Sequence, residues 1–571
     1  MAAIQPAEPV QPPARAAASQ EPETPPAPAA APAEHRGTWT LSPEDEALIA
    51  KLPLRKKIGQ MFIIGFMGTT LEYGLGETIT ALNPGGLVVF GRNIQTARQI
   101  SDLIVGAQQT SLKSTRLPLL VSVDQEGGNV IRIKTSPSLP SALAIGSSGE
   151  PQIAEVAGQA TGHLLRTLGF NMNLAPVLDV SNPSEMSFVG TRSYGSDPAH
   201  VGKMASRFAA GLDSVGIIPT GKHFPGHGGV EDDSHKGTPE KEISMQEWEK
   251  TDGVPFMEMQ KRFSSRWAVM LAHVAYPQID PSGMPATFSK PIVEGILRKQ
   301  LGFGGVVMTD DIEMAGAFAV KDVRERAIRA IEAGVDMVMV AWNKKLQREL
   351  VATVEKAVQT GRIPMSRIDA SLRRIIAAKR AVQREIKRPT TDELRLAIRN
   401  PRFAKIGQAT LLAKFNKPPD KTEIDFKDYA SDKSIVLFTA NAKFAESFKS
   451  SVKNKRVSLR PLTPGRPQDI DRTMRANPQS VGVIFVSGQQ AAKLAGGVSE
   501  DVARRMLMVT AEAEGMLQNY ESYRHISFVY YRHPQLGGFV GRHFFGEEQI
   551  RTPAATKPAE KSEVGSTEGE P

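Results

Sequence analysis

The segment KHFPGHGGVEDDSH, Lys222 to His235, sets three histidines and three acids within fourteen residues. Imidazoles and carboxylates this close together suit metal ligation, anion binding, or proton transfer by a histidine that an acid orients. His223 and His227 are four apart, yet Pro225 and Gly226 stand between them, so they do not share a helical face as metalloprotease histidines do. His235 follows Asp233 by two residues. A carboxylate there can orient the ring and stabilise an imidazolium, and an imidazole exchanges protons near neutral pH without burial. Asp232 meets the same spacing argument, so spacing alone leaves the partner open. Gly226, Gly228 and Gly229 predict a flexible loop, mobile from Gly226 to Gly237, that closes over a ligand.

Other residues able to do chemistry stand at the ends of short apolar runs. Asp124 ends PLLVSVD, Asp179 ends FNMNLAPVLDV apart from one valine, and Lys222 with His223 closes GIIPTGKHF. His273 lies in WAVMLAHV, and GGVVMTDD ends on Asp310 and Asp311. With MFIIGF, GGLVVFG and VDMVMVAW these make eight β-rich runs, most of them separated by amphipathic stretches such as DVRERAIRAIEAG. Strands alternating with helices imply a parallel sheet, and eight such units predict an α/β fold, a closed (β/α)8 TIM barrel. Barrel enzymes build their sites at the C-terminal strand ends, where these polar residues fall. A doubly wound open sheet is the competing architecture.

At 571 residues the chain predicts two domains plus tails: a disordered Pro/Ala-rich tail over 1–40, the barrel over 41–388, a smaller α/β domain over 389–550 and a disordered tail over 551–571. In the second domain KSIVLFTA, RVSLRPL, VGVIFVSG and HISFVYY are the strand candidates. A net charge of +9 without a clustered basic block gives no nucleic-acid footprint. The absence of cysteine excludes disulfides, thiolate metal sites and a cysteine nucleophile. No run is long enough to span a membrane, and the N-terminus lacks the apolar core of a secretory signal. As it stands the chain reads as cytoplasmic, or as exported or periplasmic if a leader has been removed.

Five motifs, VDQEGG at Val123, GTRSYGSDP at Gly190, KHFPGHGGVEDDSH at Lys222, LAHVAYP at Leu271 and MTDDIEMAGA at Met308, together resemble the β-N-acetylglucosaminidases of glycoside hydrolase family 3. The likeness spans about residues 45 to 385, with the motifs in order. It implies a retaining exo-β-N-acetylglucosaminidase of the peptidoglycan-recycling type, with no metal or organic cofactor. By resemblance, Asp310 is the nucleophile, His235 with Asp233 is the acid/base dyad, and Asp124, Arg132, Arg192, Lys222 and His223 bind the sugar. Asn129 stands where many members carry arginine. The implied substrate is an amino-sugar oligosaccharide, a muropeptide or a chitin-like chain; no oligomeric state follows.

Spacing leaves several alternatives. Asp311 or Glu313 is a rival nucleophile, Arg192 is a rival salt-bridge partner of Asp197, and His273 reads equally as a satisfied core histidine or a ligand contact. The rival functions are a β-glucosidase or phosphate-accepting glycosidase, a metal-dependent hydrolase ligating through His223, His227, Asp233 and His235, and a non-catalytic cell-wall-binding protein. Against the metal reading, MFIIGF carries no histidine pair.

Overall fold

The computed structural model describes residues 39–183, 189–230, 238–415, 421–452, 455–462, 466–486, 496–511, 522–531, 533 and 535–545. Of the tails expected to be disordered, residues 1–38 of the first and the whole of the second lie outside the described residues. Eight strands close into a barrel: β1 Phe62–Ile64, β2 Gly86–Val89, β3 Leu120–Val123, β4 Met172–Asn173, β5 Ile218–Phe224, β6 Ala268–Leu271, β7 Val306–Asp311 and β8 Met337–Val340. Every neighbouring pair is parallel, and β1 closes on β8 through Phe62↔Val338 and Ile64↔Val340. The strands are buried without alternation because helices cover them outside and side chains fill them inside.

The run expected over Phe170–Val180 is strand only at Met172 and Asn173. Pro176 has no N–H to give a ladder, yet its carbonyl still accepts from the Lys222 N–H, and the Leu178 N–H donates to the Lys222 carbonyl. The chain therefore keeps company with β5 and delivers Asp179 to the mouth.

Beyond the barrel lies a second parallel sheet of five strands, ordered β10-β9-β11-β12-β13, with β9 Ser434–Phe438, β10 Val457–Arg460, β11 Ser480–Val486, β12 Met506–Thr510 and β13 His525–Phe528. Four were expected. The missed strand, β12, is internal, and its run MLMVT has few of the β-branched and aromatic residues that advertise a strand. One face of the sheet buries Ile435, Leu437, Val483 and Val509 against the helices Ala442–Ser451 and Leu536–Phe545. The other buries Phe438, Ile484 and Met508 with Ile470 and Met474 of the helix Pro467–Arg475. Leu143 and Ala144, from the segment after β3, belong to the first of these cores. There the Ser141 hydroxyl donates to the Tyr530 carbonyl at 2.7 Å, and the Tyr531 hydroxyl to the Ser138 carbonyl at 2.9 Å.

Candidate active site

One wall of the barrel mouth is an ionic network. Lys222, at the end of β5, donates to Asp124 at 2.9 Å and lies 2.6 Å from a carboxylate oxygen of Glu126. Arg192, from a short helical turn Gly190–Arg192, grips Glu126 through Nε and Nη2, both at 2.8 Å. Arg132 reaches the second oxygen of Asp124 at 3.4 Å. Burial alone would raise the Glu126 carboxyl, but the Arg192 and Lys222 charges outweigh it and hold the group down at about 2. Burial would likewise lower Lys222, and Asp124 and Glu126 outweigh it, so the ammonium is held charged.

This wall brings together Asp124, Arg132, Arg192 and Lys222 and adds Glu126, which motif reading left out. An acid two residues beyond a strand-end aspartate, in a motif with basic residues nearby, was the available signal. The suggested Arg192–Asp197 pair gives way to Arg192–Glu126: Asp197 instead caps the helix Pro198–Ser214, accepting from the His200 N–H at 2.6 Å. The glycines of VDQEGG allow the turn that presents Glu126. Gly127 and Gly128 have φ of 106° and 57°, and a Cβ on Gly127 would lie 2.3 Å from the Pro140 carbonyl oxygen. Asn129 is exposed in this turn.

Behind the wall sits Asp179, fully buried. It accepts from the His223 ring Nδ1 at 2.7 Å, the His223 N–H at 3.1 Å and the His227 N–H at 2.7 Å. Its carboxyl is held well below the usual range: burial pushes it up, but His223 and these hydrogen bonds outweigh that. An ionised carboxylate only accepts, so Nδ1 of His223 carries its proton and Nε2 remains for the mouth. His227 is pushed down to about 4, first by burial and then by the neighbouring His223 ring.

Register explains how Lys222 and His223, adjacent in sequence, both serve the site. Lys222 pairs with Met270 and Phe224 with Leu271, so β5 carries one extra residue there. A regular strand would turn one of the two side chains outward; the bulge re-aims it. The same slip occurs on β7, where Met308 pairs with Met337 but Asp311 with Met339.

That second slip separates two adjacent acids. Asp310 opens to the mouth, accepting from the Asp311 N–H at 2.8 Å. Burial would raise it, but His223, His273 and this N–H outweigh burial and lower it, leaving an ionised carboxylate. Asp311 instead turns toward β8, accepting from the Ala341 N–H at 3.1 Å and the Glu313 N–H at 3.3 Å. Burial, then the Glu313 charge, pushes it up to about 7. Glu313 accepts from the Trp342 N–H at 2.8 Å and the Asn343 N–H at 3.3 Å. His273 is a buried ring with both nitrogens engaged, Nε2 at 3.1 Å from the Asp311 carbonyl and Nδ1 at 2.8 Å from the Thr287 hydroxyl.

Asp233 and His235 lie outside the described residues, as do the others of 231–237. The chain re-enters at Thr238, whose hydroxyl donates to the Gly316 carbonyl at 2.8 Å, beside the segment after β7. The first residues of the segment expected to be flexible are closely packed. His227 and Val230 are buried, and a Cβ on Gly228 would stand 1.7 Å from the Val180 carbonyl oxygen. Gly228 is there for close approach, which the sequence does not distinguish from flexibility. Among the described residues no three His, Asp or Glu side chains are grouped to hold a metal ion.

A carboxylate facing a wall of fixed donors at barrel strand ends is equipped to attack a polyhydroxylated substrate. Residues 53–378 match the glycosyl hydrolase family 3 N-terminal domain. The chain belongs to glycoside hydrolase family 3. It is 35% identical over 329 residues to a β-hexosaminidase of Idiomarina loihiensis, covering 56% of this chain and 96% of that protein. A β-hexosaminidase of Pseudomonas aeruginosa is 36% identical over 286 residues, 50% of this chain and 82% of that one. The structure of a family 3 β-N-acetylglucosaminidase from Paenibacillus sp. FPU-7 superposes with a TM-score of 0.72 at 27% identity. That match covers 87% of this chain and 97% of the other, so the likeness runs past the barrel into the second sheet. No helix of the described residues is long and apolar enough to cross a membrane.

Proposed function

We propose that this glycoside hydrolase is a retaining exo-β-N-acetylglucosaminidase that releases N-acetylglucosamine from peptidoglycan-derived fragments or chitin-like oligosaccharides, with 41–388 as its catalytic domain and 389–550 as its second. One observation carries the reading: the Asp310 carboxylate at the end of β7 opens to the same barrel mouth as Asp124, Arg132, Lys222, His223 and Arg192. The amino-sugar specificity rests on the β-hexosaminidase relatives.

In this mechanism Asp124 accepts from sugar hydroxyls, while Arg132, Lys222 and the Nε2 side of His223 complete the contacts. Arg192 acts through Glu126, fixing the carboxylate that fixes Lys222. Asp310 attacks the anomeric carbon and forms a covalent glycosyl ester as the leaving oxygen takes a proton. His235, oriented by Asp233, gives that proton and then takes one from the water that cleaves the ester. Two side chains suffice for both steps, so the proposed reaction calls for neither metal nor organic cofactor.

The test is turnover of an aryl β-N-acetylglucosaminide beside the matching aryl β-glucoside, with the first sugar product followed by proton NMR. Preferential release of β-N-acetylglucosamine supports the reading. Initial release of the α-anomer, or a preference for the glucoside, contradicts it.

A further inference from the structure

The two sides of the barrel mouth differ in kind. The ionic network occupies the ends of β3 and β5 and the segment after β4, whereas four of the large apolar side chains most exposed among the described residues cluster elsewhere. Met67 and Tyr73 follow β1, Phe318 follows β7 and Trp342 follows β8, with exposures of 54%, 72%, 53% and 54%. In the closed barrel β7, β8 and β1 are consecutive neighbours, so these residues rim one arc next to Asp310.

Trp342 is the fixed member of that arc. Its N–H is held by Glu313, three residues beyond Asp310, and the preceding Ala341 N–H is held by Asp311. The Arg92 guanidinium packs 3.8 Å from the indole centroid and 4.3 Å from that of Phe90, and the two rings are stacked 5.7 Å apart. Arg92 is itself pinned, donating to the Ala341 carbonyl at 2.8 Å and the Phe66 carbonyl at 3.2 Å. A tryptophan that is half exposed yet held from behind by a cation and two backbone contacts is a preorganised platform.

We infer that Trp342 is the platform of a leaving-group subsite and stacks on the apolar face of the pyranose ring released from the N-acetylglucosaminide. The inference rests on the function proposed above. With the departing sugar's partner held by the polar wall and attacked at Asp310, the next ring must lie toward the open mouth. The opposite side is occupied by the segment after β3, which the second domain clasps at Ser138 and Ser141. The exposed apolar arc after β7, β8 and β1 is the surface of the described mouth that suits the next ring. A β-linked pyranose presents axial C–H bonds on its faces, which matches an indole and not a carboxylate wall.

The test compares two substrates with the same N-acetylglucosamine but different leaving groups: N,N′-diacetylchitobiose and methyl β-N-acetylglucosaminide. Trp342→Ala keeps the backbone hydrogen bond to Glu313 and removes only the ring. It should lower kcat/KM for the disaccharide about tenfold while leaving the methyl glycoside within about twofold, and Trp342→Phe should recover most of the loss. Equal losses on both substrates, or none on either, would overturn the subsite. Wild-type protein that cleaves neither substrate would instead overturn the function on which it rests. A second measurement avoids the ring deletion. Of the other tryptophans Trp248 and Trp267 are fully buried and Trp39 is partly buried against the core. In an Asp310→Asn protein the disaccharide, and not the free monosaccharide, should therefore change tryptophan fluorescence, and that change should be lost when Trp342→Ala is added. Identical responses to both sugars would also count against the subsite.

Discussion

Arg192 and Glu126 meet through two N–H···O bonds of 2.8 Å, and the same carboxylate lies 2.6 Å from the Lys222 ammonium. Breaking this buried pair from the acid side removes the bidentate carboxylate from Arg192 and leaves the Lys222 ammonium with Asp124, which Arg132 also contacts. Glu126→Gln should therefore destabilise the protein by roughly 3 to 5 kcal/mol and raise KM, measured by chemical denaturation and initial rates. The sign with pH follows from its lowered carboxyl: the stability Glu126 contributes is present above the ordinary glutamate range and lost as pH falls toward about 2. The variant should lack that acid-side loss.

Asp179 orients His223 as a pure acceptor for Nδ1–H. An amide whose oxygen keeps the two backbone N–H groups would turn its N–H₂ to the ring and hold His223 in the other tautomer. Asp179→Asn should lower kcat/KM by about 10- to 100-fold through a misplaced His223. Loss of stability with unchanged kinetics would make Asp179 purely structural.

Asp311 gives the opposite pH sign. Its carboxyl is pushed up to about 7, chiefly by burial, so the stability it contributes is full below the ordinary aspartate range and is lost as pH rises through about 7. Asparagine keeps an oxygen for the Ala341 and Glu313 N–H groups and cannot ionise. The melting temperature of Asp311→Asn, relative to wild type, should rise from pH 4 to pH 7 and then level, in steps on the order of the linkage expected for one buried acid. A flat difference across that range would contradict the buried-acid account.

The clasp on the segment after β3 predicts a kinetic role for the second sheet. Tyr531 and Ser141 hold the segment that follows Arg132. Tyr531→Phe deletes one hydroxyl and should raise KM about two- to fivefold with kcat little changed. In an Arg132→Ala background that increase should vanish, since the hydroxyl acts through the position of Arg132; an undiminished increase would exclude this route.

The barrel was readable because eight apolar runs recur, most of them separated by amphipathic stretches; five of the runs carry polar residues at or near their ends, and a parallel barrel brings those ends to one mouth. While their roles come from the resemblance, Asp124, Lys222, His223 and Asp310 are legible as strand-end residues for that reason. Their partners are not. Arg192 finds Glu126 66 positions away, and His223 finds Asp179 44 positions away, distances that local spacing does not encode. Asp310 and Asp311 look alike in sequence and diverge only through the register slip on β7. The close approach of Gly228 to Val180 is invisible in sequence, and Met506–Thr510 escaped because methionine fills a strand without signalling one.

The central claim, covalent catalysis by Asp310, is tested most directly by trapping. A 5-fluoro N-acetylglucosaminyl fluoride slows ester hydrolysis enough for the intermediate to accumulate, and peptide mass spectrometry then locates the sugar. The account predicts a single label on Asp310 and none in Asp310→Asn. A label on Asp311 or Glu313, or turnover of the reagent by Asp310→Asn at the wild-type rate, would contradict it.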